Sequence, residues 1–298
     1  MRVIVNVDDV GLHPAVQRAV EIAADAGCVT SASVLANGPC VRDARRLRGI
    51  GLAAHLNLLR GRPLSPSREI RSLVRADGLL VGSYVSLFRR YALRQLDLDE
   101  VEREWDRQIV NLFELGLPLT HLDSEKHIHC WPRLMPIACR LAEKHGLRWV
   151  RRSVEAVSPL QWDAGSWRAR LLSHWGKSHA AHPSVAFPDA VWGLAVQGRH
   201  VNAARLRRDW PQLRDSAVVE IACHPGCPRP GDGPLPASFG RLRVAQWWKT
   251  ELNSLLDPAW RELLTDEGCE LTHYGLLDPD RREPSESFTT CSADCVAA

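Results

Sequence analysis

From its second residue the chain alternates short β-branched runs with helix-like stretches, and this alternation restricts its fold more than any other feature. "RVIVNV" (2–7) reads as a strand, and "PAVQRAVEIAADAG" (14–27) as a helix with Pro14 near its start and Gly27 at its end. "SASVLAN" (31–37) is a strand, "PCVRDARRLRG" (39–49) a helix and "IGLAAHLNL" (50–58) a strand. From Asp99, apolar residues at Val101, Trp105, Ile109 and Leu112 keep helical spacing. "PLTHLD" (118–123) and "LRWVRR" (147–152) read as strands around a helix at 132–146. "AVVEIACHPG" (217–226), a helix at 257–268 and "CELTHYG" (269–275) close the series. End-to-end strand–helix alternation predicts a parallel α/β sheet, open or closed into a barrel.

Polar side chains collect at the carboxyl ends of four of these strands: Asp8 and Asp9, His55 and Asn57, His121 and Asp123, and His224. In barrels and open α/β sheets alike, active sites form at that edge.

With 298 residues, 45% apolar and 24% charged, the chain is long enough for one large α/β domain. A net charge of +3 is mild, and the basic clusters at 45–48 and 205–208 read as solvated helix faces, so no nucleic-acid partner is expected. No apolar run approaches the roughly 20 residues of a membrane span. The first residues lack a signal-peptide pattern, so the chain is expected in the cytoplasm with its nine cysteines reduced. Residues 151–216 are less regular and rich in tryptophan, and read as an insertion, a lid or the arm of a homodimer. Residues 278–298 are polar and are expected to be a disordered tail after a single domain spanning 1–277.

The densest chemistry is in "THLDSEKHIHC" (120–130), where His121, Asp123, Glu125, His127 and His129 fall on alternate positions. Alternation would put all five on one face of a strand, but nine extended residues reach about 30 Å. The chain must therefore turn here, and only some of the five can bind one ion. In "VDDVG" (7–11) two adjacent carboxylates point different ways, so one can bind a cation while the other handles a proton. Asp, His and a third N/O donor with open positions make a catalytic divalent site, in which bound water becomes a nucleophile. A separate carboxylate and a separate histidine supply base and acid. This inventory suits hydrolysis of an amide or ester.

Asp-Asp-x-Gly after the first strand, then "HLN", "THLDS" with H-x-H and proline, then "CHPG", resembles in order the YdjC-like (ChbG/HpnK) carbohydrate deacetylases over roughly residues 1–275. The resemblance implies a distorted TIM-like (β/α) barrel, similar in design to polysaccharide deacetylases. It also implies one divalent metal ion, Mg²⁺ or Zn²⁺, and removal of an N-acetyl group from an amino sugar or a conjugate of one. By position, Asp8 is the expected base, Asp9 and His55 metal ligands, and His224 the acid. Members read Asp-Ser-His where this chain has Asp123-Ser124-Glu125. Glu125 is therefore the first choice for the remaining ligand and His127 the second, with His121, Asp123 and His129 behind the ligands or against substrate. Asn57, His129 and Trp131 are the expected sugar contacts. The alternatives are a sugar-binding protein that has lost catalysis, or a metal-dependent hydrolase of another bond such as a phosphoester.

Overall fold

The computed structural model describes residues 1–155, 157, 163–179, 181–240 and 242–278. Its sheet comprises β1 (Arg2–Val10), β2 (Ser31–Val34), β3 (Gly51–Leu56), β4 (Leu119–Ser124), β5 (Trp149–Val150), β6 (Ala190–Trp192), β7 (Val218–Cys223) and β8 (Glu270–Leu271). Seven run in the order β5-β4-β3-β2-β1-β7-β6, and β8 pairs beside the start of β1. All these pairings are parallel. Ala186, just ahead of β6, bridges to Trp149 of β5, so the edges approach and the sheet curls into the expected barrel-like form.

Helices cover the outer face. α1 (Pro14–Asp25) is capped by His13, whose Nδ1 accepts from Ala15 N at 3.1 Å. α3 (Leu98–Glu114), which follows α2 (Tyr84–Ala92), is capped by Asp97 and buries Val101, Trp105, Ile109 and Leu112, the four positions whose spacing marked it. α4 (Met135–Lys144), α5 (Ala164–Ser178), α6 (Ala203–Asp209), α7 (Trp248–Leu255) and α8 (Pro258–Asp266) complete the layer. With both faces covered, β1, β3, β4 and β7 are buried almost throughout.

Several elements differ from the sequence reading. The expected helix at 39–49 shrinks to a 3₁₀ segment, Val41–Arg46, which buries only Ala44, too little apolar surface to hold a longer helix. The last strand keeps two residues, and its remainder turns to bury Tyr274. Residues 151–216 carry α5, α6 and the sheet strand β6, so part of this stretch belongs to the sheet. Of the expected tail, all but Asp278 lies outside the described residues, as does Trp162. Among the described residues no helix is long and apolar enough to cross a membrane.

β1 runs three residues beyond its expected end, and its pairing with β2 is irregular between Val7 and Val10. Asp8 and Asp9 sit in that bulge, and Asp9 adopts φ +69°. Gly11 then turns at φ +88°, where a Cβ would press on Val41 Cα at 3.1 Å and Leu35 O at 3.2 Å.

Candidate active site

A small cavity opens at the carboxyl edge of the sheet, lined by Asp8, Asp9, His55, Glu125, His127 and His224, together with Lys126, Arg168 and Gln197. The bulge in β1 separates the adjacent aspartates. Both oxygens of Asp8 accept from Arg151, NH2 to Oδ1 at 2.8 Å and NH1 to Oδ2 at 3.0 Å, and Asn6 Nδ2 donates to Oδ1 at 2.9 Å. Burial alone would raise the pKa of Asp8, but Arg151 beside it holds the carboxyl below the ordinary range. Asp9, turned by its left-handed backbone, brings Oδ1 to 3.6 Å from His55 Nε2.

His55 is oriented from behind. Its register partner across β3 and β4 is Asp123, whose Oδ1 lies 2.8 Å from His55 Nδ1. Ser33 Oγ donates to Asp123 Oδ2 at 2.6 Å, and Arg151 NH2 lies 2.8 Å from the same oxygen. With Nδ1 engaged, Nε2 is the face that His55 turns to Asp9. Burial disfavours the imidazolium, yet Asp123, Asp8 and Asp9 together raise His55 to about 9.

Glu125, Lys126 and His127 are consecutive, and all three reach the cavity. Neither a strand nor a helix permits that. Lys126 and His127 both take left-handed backbone angles, φ 56° with ψ 18° and 32°, and this double turn folds the chain back on itself. Glu125 ion-pairs through Oε1 with Arg60 Nε, while its Oε2 is buried without a hydrogen-bond partner. Burial pushes the Glu125 carboxyl up; Arg60 opposes this and Asp9 adds to it. Burial also holds the His127 imidazole well below its usual range, and Ser153 Oγ lies 2.9 Å from its Nδ1. Opposite them, His224 Nε2 faces Asp8 Oδ2 at 3.8 Å. The backbone N–H of His224 donates to Glu251 Oε2 at 2.6 Å, which ties the loop after β7 to α7.

Asn57, His129 and Trp131, the expected sugar contacts, all lie outside the cavity lining, and each is fully buried. Asn57 accepts from Leu59 N at 2.7 Å and Arg60 N at 3.1 Å, and its Nδ2 donates to Arg60 O at 2.8 Å and Asn37 Oδ1 at 3.0 Å. His129 is held at both nitrogens, by Ser124 Oγ at 2.5 Å and the Arg151 carbonyl at 2.7 Å. Trp131 packs in an aromatic cluster, with ring centroids 4.9 Å from Tyr91, 5.4 Å from Phe88 and 5.6 Å from Tyr84. The left-handed pair before His129 has turned the remaining chain inward, so the alternation stops predicting sides. Trp131→Ala should therefore cost about 3–5 kcal/mol in urea unfolding, the usual loss for a buried aromatic, with little change in the KM of any sugar substrate. An increase in KM at unchanged stability would return Trp131 to the binding surface.

Four residues that no motif reading singled out complete the site. Arg151, fully buried, ion-pairs with Asp8, Asp123 and Glu220. Glu220 also accepts a hydrogen bond from Tyr274 Oη. Burial would depress the guanidinium, but these carboxylates raise it well above its ordinary value. Arg60 and Glu251 hold Glu125 and His224 as described. Arg151 was open to the rule that found the aspartates, since it is a charged residue directly after a strand. Glu220 interrupts the apolar run "VVEIAC", and a charge inside a doubly covered strand needs a partner.

Asp8, His55 and Asp123 place one donor atom each within 4.8 Å of one another, the arrangement of a possible metal site. Fold and cavity together define an α/β barrel-like protein with a donor-rich site at the strands' carboxyl edge, the layout of barrel enzymes.

The family model for YdjC-like proteins matches residues 2–266, and the chain belongs to this family. A carbohydrate deacetylase of Homo sapiens is 29% identical to it, over 96% of this chain and 93% of that one. A carbohydrate deacetylase of Geobacillus stearothermophilus is also 29% identical, over 91% and 96%. The crystal structure of an Enterococcus faecalis V583 protein, provisionally described as a cellobiose-phosphate cleavage protein, superposes with a TM-score of 0.70. It shares 22% identity across 93% of this chain and 98% of that one, which establishes the common fold.

Proposed function

We propose that the protein is a metal-dependent carbohydrate N-deacetylase that hydrolyses the N-acetyl amide of an amino sugar or an amino-sugar conjugate. The observation that carries this reading is the division of labour between the adjacent aspartates. Asp8 is clamped by Arg151, whereas Asp9 faces the free nitrogen of His55. The relatives' activity points the same way.

The residues present fit a divalent cation. Two oxygens of the close trio, Asp8 Oδ1 and Asp123 Oδ2, already face Arg151 NH2, and a cation between them would be repelled by the guanidinium. His55 Nε2, Asp9 Oδ1 and the unpartnered Glu125 Oε2 are better placed to be ligands, with His127 next in line. Asp123 then acts on His55 from behind, the usual arrangement for a metal-binding histidine. Nitrogen and carboxylate donors suit Mg²⁺, Mn²⁺ or Zn²⁺. Such an ion, when bound, polarises the acetyl carbonyl and makes water more acidic.

The chain's own groups perform the proton transfers. Asp8, kept ionised and aimed by Arg151, takes the proton of the attacking water. His224 shares the same small space, 3.8 Å from Asp8, and gives a proton to the departing amine. Acetate released from N-acetylglucosamine oligomers, lost on chelation and restored by one of these ions, is the expected result. Oligomer binding with no acetate under any of the three ions would overturn the reading.

Glu125→Gln should weaken metal binding sharply, because an amide oxygen is a poorer donor than a carboxylate. His127→Ala should lower it only about 10–100-fold, as the loss of an orienting neighbour does. Metal stoichiometry after dialysis decides the matter: a full site in Glu125→Gln with an empty one in His127→Ala would transfer the ligand role to His127.

A further inference from the structure

Arg60 follows β3 in a loop anchored from two sides. Asn57 Oδ1 accepts from the backbone N–H groups of Leu59 and Arg60, while the Nδ2 atoms of Asn37 and Asn57 each donate to the Arg60 carbonyl at 2.8 Å. Gly61 adopts φ +75° and donates to Ser238 O at 3.0 Å; a Cβ on it would meet the Phe239 ring at 2.6 Å. The Arg60 side chain is 14% exposed. Its guanidinium donates from NH1 to Phe239 O at 3.3 Å and ion-pairs through Nε with Glu125 Oε1. The loop thus fixes a positive charge against one oxygen of Glu125, and the other oxygen is left buried without a partner.

We propose that Arg60 is a fixed counter-cation that restricts Glu125 to one donor oxygen and keeps the site's affinity for its divalent ion low enough for exchange. The inference rests on the reading of Glu125 as a ligand. A guanidinium beside a ligand repels the ion that the ligand holds, and inside a protein this repulsion is only partly screened. Arg60 therefore works against the metal while serving, with Lys126 beside it in the cavity lining, as a counter-charge to the buried carboxylate when the ion leaves.

The test is calorimetric titration of the full chain with Mn²⁺ and with Zn²⁺. Arg60→Met should bind both ions about tenfold more tightly or better, and Arg60→Gln, made alongside in case the apolar variant folds poorly, should shift the same way. Arg60→Lys keeps the charge and should stay within about threefold of the unmodified protein. Adding Glu125→Gln to Arg60→Met should abolish the gain. Unchanged or weaker binding in both Arg60→Met and Arg60→Gln, with Glu125→Gln weak, would overturn the role of Arg60 and leave Glu125 a ligand. Undiminished binding in Glu125→Gln would overturn the ligand reading itself.

Discussion

Asp8→Asn is expected to lower kcat by about 10²–10⁴, the ordinary weight of a general base, while metal content stays near that of the unmodified protein. The amide keeps the size of the side chain and retains one acceptor for Arg151, so the cavity should persist. What disappears is the ability to take a proton. Asp9→Asn should do the reverse, emptying the metal site first and losing activity as a consequence. The paired measurement is acetate release together with metal stoichiometry at saturating substrate. Loss of metal in Asp8→Asn, with Asp9→Asn still loaded, would mean that the two roles are exchanged.

Arg151→Met should be the most destabilising single change in the site, costing about 3–5 kcal/mol. Removing one partner of a buried ion network strands the others, and here Asp8, Asp123 and Glu220 would share a dry space with no guanidinium between them. Urea unfolding at neutral pH measures the loss. Arg151→Lys should recover only part of it, because one ammonium cannot reproduce the two-point grip on Asp8. A change below about 1 kcal/mol in Arg151→Met would show that the three carboxylates are satisfied without it.

The strand–helix alternation was readable because a doubly covered parallel strand must be apolar almost throughout, and β1, β3, β4 and β7 are. The same physics exposed Asp8, Asp9, His55 and His224, since polar groups at the ends of such strands need a reason to be there. Legibility ended where backbone geometry departed from a regular period. The reach of the stretch required a turn, but not its place: the left-handed pair at Lys126 and His127 brings three neighbours to the cavity and leaves His129 and Trp131 outside its lining. Asn57, an expected sugar contact, instead bonds through its amide to Asn37 and to the backbone of Leu59 and Arg60. Arg151 lies in "LRWVRR", which reads as a strand over its whole length, whereas the strand stops at Val150 and leaves Arg151, fully buried, at its carboxyl end. β6 was missed because three residues in an irregular tract carry no period at all.

β1 meets its neighbours on very different schedules. β2 follows it closely along the chain, whereas β7 begins at Val218 and β8 at Glu270. During synthesis the far edge of β1 therefore stays open until most of the chain has been made, and parallel pairing across such a separation is slow. An open, β-branched edge of this kind is a template for other chains. In β1 the run is broken at Asn6, Asp8 and Asp9, and charges within an apolar strand discourage such self-association. On the same grounds a β1 made apolar at Asp8 and Asp9 is expected to aggregate more readily during refolding than the unmodified chain.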